Sequence, residues 1–247
     1  MALGRACGLT AGAAWTEPMG DATVLVAERY DRRVVNGRIT RLHQEDMCQA
    51  VGIRPSQKYD IGPPSGRMAR LLREFADEPR AAVAALFNQL AFRAVVGDED
   101  GHGKNYSLLL EDGKVSLAPL YDSLCTLVYP ELTGTMATPI GVQQNLAEVN
   151  RQALVEEGRA MGMAEAEARA ALDALAVGLR AALEDLGDEY TAGWPSERVI
   201  EIVRTRSHRL DTGDPLGLAT APQPRGTRRL DGATTRREAG LGGAAPG

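Results

Sequence analysis

The chain has 247 residues, 44% of them hydrophobic and 25% charged, with a formal net charge of -5 and a pI of about 5.4. These values suit a soluble globular chain of one large or two small domains. They exclude the strongly basic footprint of a nucleic-acid or anionic-membrane binder, so no direct nucleic-acid binding is expected. No apolar run approaches the roughly 20 residues that span a bilayer, and no basic-then-apolar leader opens the chain, which together point to a cytoplasmic location. Cys7, Cys48 and Cys125 are widely spaced and odd in number, the pattern of reduced thiols rather than of a disulfide framework or a zinc knuckle. Only three of the 28 basic residues are lysines, at positions 58, 104 and 114, so each is worth placing.

In chain order, residues 2–14 read as the end of a helix running into a Gly-rich turn. Thr23 to Ala27 reads as a buried strand from its β-branched run. After the charged stretch Glu28-Arg29-Tyr30-Asp31-Arg32-Arg33, the pair Asn36-Gly37 offers the positive φ of a tight turn, with Arg38 to Leu42 as the return strand. Leu42 to Val51 is expected to be a short helix, and Pro55, Pro63 and Pro64 mark a loop up to Gly66. A helix follows from Arg67 to Phe75, cut by Pro79. A stronger one places Val83, Leu86, Phe87, Leu90, Ala91 and Ala94 on one face at helical spacing.

That helix delivers the chain to Gly97-Asp98-Glu99-Asp100-Gly101-His102-Gly103-Lys104-Asn105. Beyond this loop, the runs Tyr106 to Leu110 and Val115 to Leu120 flank Asp112-Gly113, a strong hairpin signal, and Asp122 lies just past the second run. Asn145 to about Leu186 favours helix, broken at Gly158 to Gly162, and Glu197 to Leu210 forms a last amphipathic helix. From Asp211 onward Gly, Pro, Thr, Ala and Arg dominate, and residues 211–247 are expected to be a disordered tail.

The chemistry concentrates in the central loop. Phosphoryl transfer needs a carboxylate to accept or orient the proton of the attacking hydroxyl, and hard oxygen ligands to hold magnesium against the phosphates. Asp100, then Asn105 five residues on, then Asp122 beyond a hairpin, supply those types in the order kinases use them. The spacing alone is equally that of a polar turn, which Gly101 and Gly103 would suit.

The wider pattern resembles a known family. Gly97-x-x-Asp100-x-His102-x-Lys104-Asn105-x-Ser107 followed by Leu117-Ala118-Pro119-x-Tyr121-Asp122 is similar to the catalytic loop and metal-binding segment of HipA-type serine/threonine kinases, the toxin component of bacterial toxin-antitoxin pairs. Glu28-Arg29-Tyr30-Asp31-Arg32 resembles that family's hinge, Arg41-Leu42-His43-Gln44-Glu45-Asp46 its helix start, and Lys58-Tyr59 is also family-like. The resemblance runs from about residue 2 to 210. It implies a mainly α fold with a small β component, a protein-kinase-like C-terminal lobe over residues 41–210, preceded at 1–40 by a remnant of the N-lobe and hinge.

It further implies ATP and Mg2+ as cofactors, with Asp100 as catalytic base, Asn105 and Asp122 as metal ligands, Glu28 and Tyr30 at the adenine and Asp31 near the ribose. His102 as a loop-orienting hydrogen bonder and Lys104 as a neutraliser of phosphate charge are carried beside the alternatives of a structural histidine and a solvated lysine. The implied partners are a protein substrate and a DNA-binding antitoxin. Two departures stand out. Asp98 occupies a position where the family commonly has Asn. Only 27 residues precede Glu28, with no lysine before Lys58 and no Gly-rich phosphate motif, so these residues are expected to be weak or inactive as a kinase on their own. A catalytically dead interaction module that binds an antitoxin-like or complementing partner is the alternative.

Overall fold

The computed structural model describes residues 1–59, 62–185 and 196–217. Helices α1 (Ala2–Ala6), α2 (Met47–Ala50), α3 (Ser65–Phe75), α4 (Pro79–Val96), α5 (Arg151–Ala160), α6 (Glu165–Glu184) and α7 (Ser196–Thr212) dominate. The strands form small antiparallel units: β1 (Ala14–Met19) with β2 (Ala22–Ala27), β3 (Arg32–Val35) with β4 (Arg38–Arg41), and β8 (Thr135–Ile140) with β9 (Gln143–Asn145). A three-stranded sheet orders β5 (His43–Asp46), β6 (Ser107–Glu111) and β7 (Lys114–Leu117) with β6 in the middle. The fold is mainly α with a small β component.

α4 is the axis of the molecule. Pro79 opens it at a position where a missing N–H costs nothing, and from Leu86 to Val96 only Asn88 lies outside the buried set. The periodicity predicted one buried face. From Leu86 onward the helix is instead enclosed on nearly every side, because α3, α6, α7 and β7 pack against it and its sequence is apolar nearly all round. Gly97 ends it at φ 83°, where a Cβ would also meet Leu127 Cδ1 at 2.8 Å. Only glycine satisfies both the left-handed backbone and that close approach.

Both predicted tight turns form, Asn36-Gly37 and Asp112-Gly113 each carrying two positive φ angles. Three expectations need correcting. Thr23 to Ala27 is a strand, but a solvent-exposed one: it pairs only with β1, and Leu25 is 69% exposed. Leu42 to Val51 is not one helix, because His43 to Asp46 pairs with Leu110 to Ser107 and extends the sheet. Asp46 then caps α2 reciprocally with Gln49. A strand pairing 60 residues away in sequence overrides local helix propensity here.

The third correction concerns the tail. Residues 211–217 belong to the folded body: α7 runs to Thr212, Leu216 is fully buried, and its N–H donates to Val149 O at 2.7 Å. One large apolar residue was enough to anchor the segment. The remainder of the expected tail, 218–247, lies outside the described residues. The β8–β9 hairpin had no counterpart in the sequence expectations.

The C-terminal end of α4 is satisfied from α7. Arg206, with no solvent exposure, donates from Nη2 to Ala94 O at 2.7 Å and from Nε to Val95 O at 3.1 Å, and also reaches Gly217 O. A guanidinium here supplies a donor to Val95 O, adds one to the Gly97 N–H that Ala94 O already accepts, and meets the negative end of the helix dipole. Burial draws its pKa down to about 10, so it stays charged at neutral pH. Replacing Arg206 with Ala removes these buried donors and is expected to cost about 3 kcal/mol of unfolding free energy, measured by urea titration.

Candidate active site

The loop after α4 is built around Arg93, the single charged residue between Arg80 and Asp98 in the sequence. Its side chain is 2% exposed. Nη1 donates to Asp98 Oδ2 at 2.5 Å and to Asp122 O at 2.9 Å. Nη2 donates to Tyr121 O at 2.6 Å and to Asn105 O at 3.3 Å. One planar fork thus ties the end of the helix, the loop through Asn105 and the Tyr121-Asp122 segment together. Its guanidinium carbon lies 5.3 Å from the Tyr106 ring centroid, which adds a cation–π contact. A void of about 10 Å³, enough for one water, sits beside it among Asp98, Glu99, Gly101 and Thr138. The buried Arg93 Nε and Glu99 Oε2 have no protein partner.

Asp98 is a structural anchor. Oδ1 accepts the Asp100 backbone N–H at 3.2 Å, while Oδ2 takes both Arg93 and the Ser123 hydroxyl. Burial pushes its carboxyl pKa up, and the Arg93 guanidinium opposes that rise. Asp100 itself is half-buried, and its Oδ1 accepts the Tyr59 hydroxyl at 2.7 Å. The carboxylate therefore already receives a hydroxyl hydrogen bond of the type a substrate alcohol would make.

Residues Gly103–Asn105 form a single 3-10 turn that directs Asn105 toward Asp122. Asn105 Nδ2 donates to Asp122 Oδ2 at 2.7 Å, and Asn105 Oδ1 is buried with no partner. Asp122 sits at φ 50°, an uncommon conformation for a non-glycine residue, with its carbonyl held by Arg93. His102 is buried beside both acids. Desolvation lowers its pKa, with the charges of Asp100 and Asp122 pulling the other way, so the imidazole is neutral at pH 7. Its Nε2 lies 2.7 Å from Lys58 Nζ. Asp100, His102, Asn105 and Asp122 are thus gathered into one place.

The other predicted residues fare differently. Lys104 turns away from the acids to Asp46 Oδ2, at 2.5 Å, and locks the cap of α2 instead. Asp31 is buried and accepts from Arg29 (2.7 Å to each oxygen) and from Arg32 (2.5 Å), so both of its oxygens are already engaged. Glu28 is exposed. Tyr30 does approach the site, with its ring 5.3 Å from that of Tyr121, the residue before Asp122. Sequence reasoning missed Arg93, Lys58 and Tyr59 as site residues. A lone arginine in an otherwise uncharged helix was the available sign of the first.

The model of the HipA-like C-terminal domain matches residues 1–183. The chain belongs to this HipA-like family. Among relatives, the putative kinase Y4mE of Sinorhizobium fredii is 36% identical over 197 residues, covering 77% of this chain and 47% of that protein. The serine/threonine-protein kinase toxin HipA of Shewanella oneidensis is 33% identical over 135 residues, covering 49% and 31%. The chain therefore spans less than half the length of these HipA-like relatives. In fold it is similar to HipA of Shewanella oneidensis solved with HipB and operator DNA (TM-score 0.71, 21% identity, 85% of this chain, 52% of that one). It is also similar to the Helicobacter pylori proinflammatory kinase CtkA (TM-score 0.53, 8% identity, 86% and 80%). The HipA-like C-terminal lobe is thus the kinase-like fold described above, and no helix among the described residues is long and apolar enough to cross a membrane.

Two outcomes follow from this geometry. Arg93→Ala leaves Asp98 buried without its counter-charge, and a loss of about 3–5 kcal/mol is expected in denaturant titration. Asp31 is held at a pKa of about 2, first by its hydrogen bonds to Arg29, against an ordinary value of 3.8. A lowered folded-state pKa gives stability that is complete above the unfolded value and is lost as pH falls through the folded one. Asp31→Asn is therefore expected to melt below the wild type at pH 7, with the gap closing between about pH 4 and about pH 2.

Proposed function

We propose that the chain is the catalytic lobe of an ATP- and magnesium-dependent serine/threonine protein kinase. The observation that carries this reading is the Asn105–Asp122 pair, 2.7 Å apart, gathered by Arg93 on the same loop that presents Asp100. In this reading Asp100 accepts the proton of a serine or threonine hydroxyl as that oxygen bonds to the γ-phosphorus and the bond to the β–γ bridging oxygen breaks. The 2.7 Å bond from the Tyr59 hydroxyl supports the role, since it shows that an alcohol reaches this carboxylate. His102, neutral and buried, orients the loop.

The fit to magnesium rests on the unpartnered Asn105 Oδ1 beside the Asp122 carboxylate. Among the described residues no group of three or more His, Cys, Asp or Glu side chains is arranged to hold a metal. Two hard oxygen ligands, with the remainder from phosphates and water, are what magnesium ordinarily takes in such sites. When bound, it would neutralise phosphate charge. Tyr30, stacked near Tyr121, is the hinge residue best placed for a nucleotide base. We read residues 1–40 as belonging to the nucleotide side and 41–210 as the catalytic lobe, acting in the cytoplasm. The Shewanella relative, solved with HipB and operator DNA, makes an antitoxin-type DNA-binding partner the natural regulator.

A second reading is a non-catalytic module for an antitoxin-like or complementing partner. It is favoured by the two N-terminal hairpins, which leave Leu25 69%, Val34 74% and Ile39 74% exposed. The two readings separate in vitro. Purified protein with labelled ATP and magnesium is expected to show weak transfer, because no Gly-rich phosphate clamp lies within these 247 residues. Asp100→Ala should abolish that transfer and leave nucleotide binding, while Asp122→Ala should remove the magnesium dependence of binding. Robust autophosphorylation abolished by Asp100→Ala would overturn the expectation of weakness. No binding of a non-hydrolysable ATP analogue with magnesium would overturn the kinase reading itself.

A further inference from the structure

The three lysines are placed very differently. Lys114 is exposed in the hairpin opposite Glu111, and Lys104 is neutralised by Asp46 at 2.5 Å. Lys58 is half-buried and points into the catalytic loop, with Nζ 2.7 Å from His102 Nε2 and 4.6 Å from the centroid of the Tyr59 ring. Among the described residues no carboxylate forms an ion pair with it.

Its position is set by packing. Three residues, Lys58, Tyr59 and Pro63, meet the loop. Tyr59 meets Asp100, Lys58 meets His102, and Pro63 meets Gly103, where a Cβ would come within 2.5 Å of the proline ring. A side chain at Gly62 would likewise strike Lys58 O at 2.6 Å, so the lysine backbone is closely packed as well. The ammonium thus stands on an imidazole nitrogen rather than on a carboxylate. A partly buried ammonium with no carboxylate partner among the described residues can take up a counter-ion there. An anion arriving between the base and the metal ligands would supply it.

We propose that Lys58, seated on His102, is the cation that contacts the transferring γ-phosphate, the role that the resemblance placed on Lys104. The inference rests on the phosphotransfer reading above and deepens it: the lobe carries its own phosphate contact. His102 then acts as a positioning residue, accepting from the lysine and aiming it.

The test is calorimetric titration of the 247-residue chain with a non-hydrolysable ATP analogue plus magnesium and, separately, with ADP plus magnesium. Wild type, Lys58→Met, Lys58→Arg and Lys104→Met are compared. Lys58→Met is expected to weaken the triphosphate about tenfold and the diphosphate less than about twofold, since the lost contact is to the phosphate ADP lacks. Lys104→Met should leave the ratio of the two affinities unchanged, and Lys58→Arg should retain most of it. Equal weakening of both nucleotides, or none, overturns the role of Lys58. If Lys58→Met does not fold, Lys58→Arg decides: a folded arginine variant that has lost the preference for triphosphate also overturns it. Wild-type protein that binds neither nucleotide defeats the phosphotransfer reading, whereas wild-type binding with an unaltered Lys58→Met defeats this inference alone.

Discussion

A single buried guanidinium, that of Arg93, holds the parts of the site in register. Its partners come from three stretches of chain that share no regular pairing: Asp98 after the helix, Asn105 in the 3-10 turn, and Tyr121 with Asp122 beyond the hairpin. A lysine would offer charge without the fork, and an apolar residue would leave the backbone carbonyls and the Asp98 carboxylate unsatisfied in a dry interior. The positive φ of Asp122 is tolerable because its carbonyl is fixed by this same group.

That dependence extends outward through α4. The helix must be rigid and placed correctly for Arg93 to reach, and it is clamped by α3, α6, α7 and β7 along its length and by Arg206 at its end. The two buried arginines divide the labour. Arg206 satisfies the carbonyls of the last turn, and Arg93 organises the loop that leaves it. On the other side, the strand β5 meets the first residue of β6, so that Asp46 caps α2 and captures Lys104 in one place. Lys104 is thereby drawn to Asp46, whereas Lys58 meets His102 and, among the described residues, no carboxylate.

The arrangement separates two kinds of carboxylate within three residues. Asp98 spends its charge on Arg93, on Ser123 and on the backbone of Asp100, and is shut away from solvent. Asp100 stays accessible and meets a hydroxyl. The extra acid that distinguishes this loop from the family pattern therefore ties Arg93, Ser123 and the backbone of Asp100 together. Asp31 is likewise held by side chains close to it in the chain, Arg29 and Arg32.

Local chemistry in the chain was enough for elements whose causes are local. The Asn36-Gly37 and Asp112-Gly113 turns, the long apolar helix ended by Gly97, the helices divided at Gly158 to Gly162, and the order Asp100, Asn105, Asp122 could all be read from residue type and spacing. Pairings between distant residues could not. His43 to Asp46 is a strand because β6 is there to receive it, and Leu216 is held by its burial and by its N–H to Val149 O. Lys104 and Lys58 differ little as residues in a sequence, and what separates them is the carboxylate each meets or fails to meet once the chain has closed on itself. Motif spacing names the groups a reaction needs; electrostatic partnership, which depends on contacts between residues far apart in the chain, decides which are free to serve it.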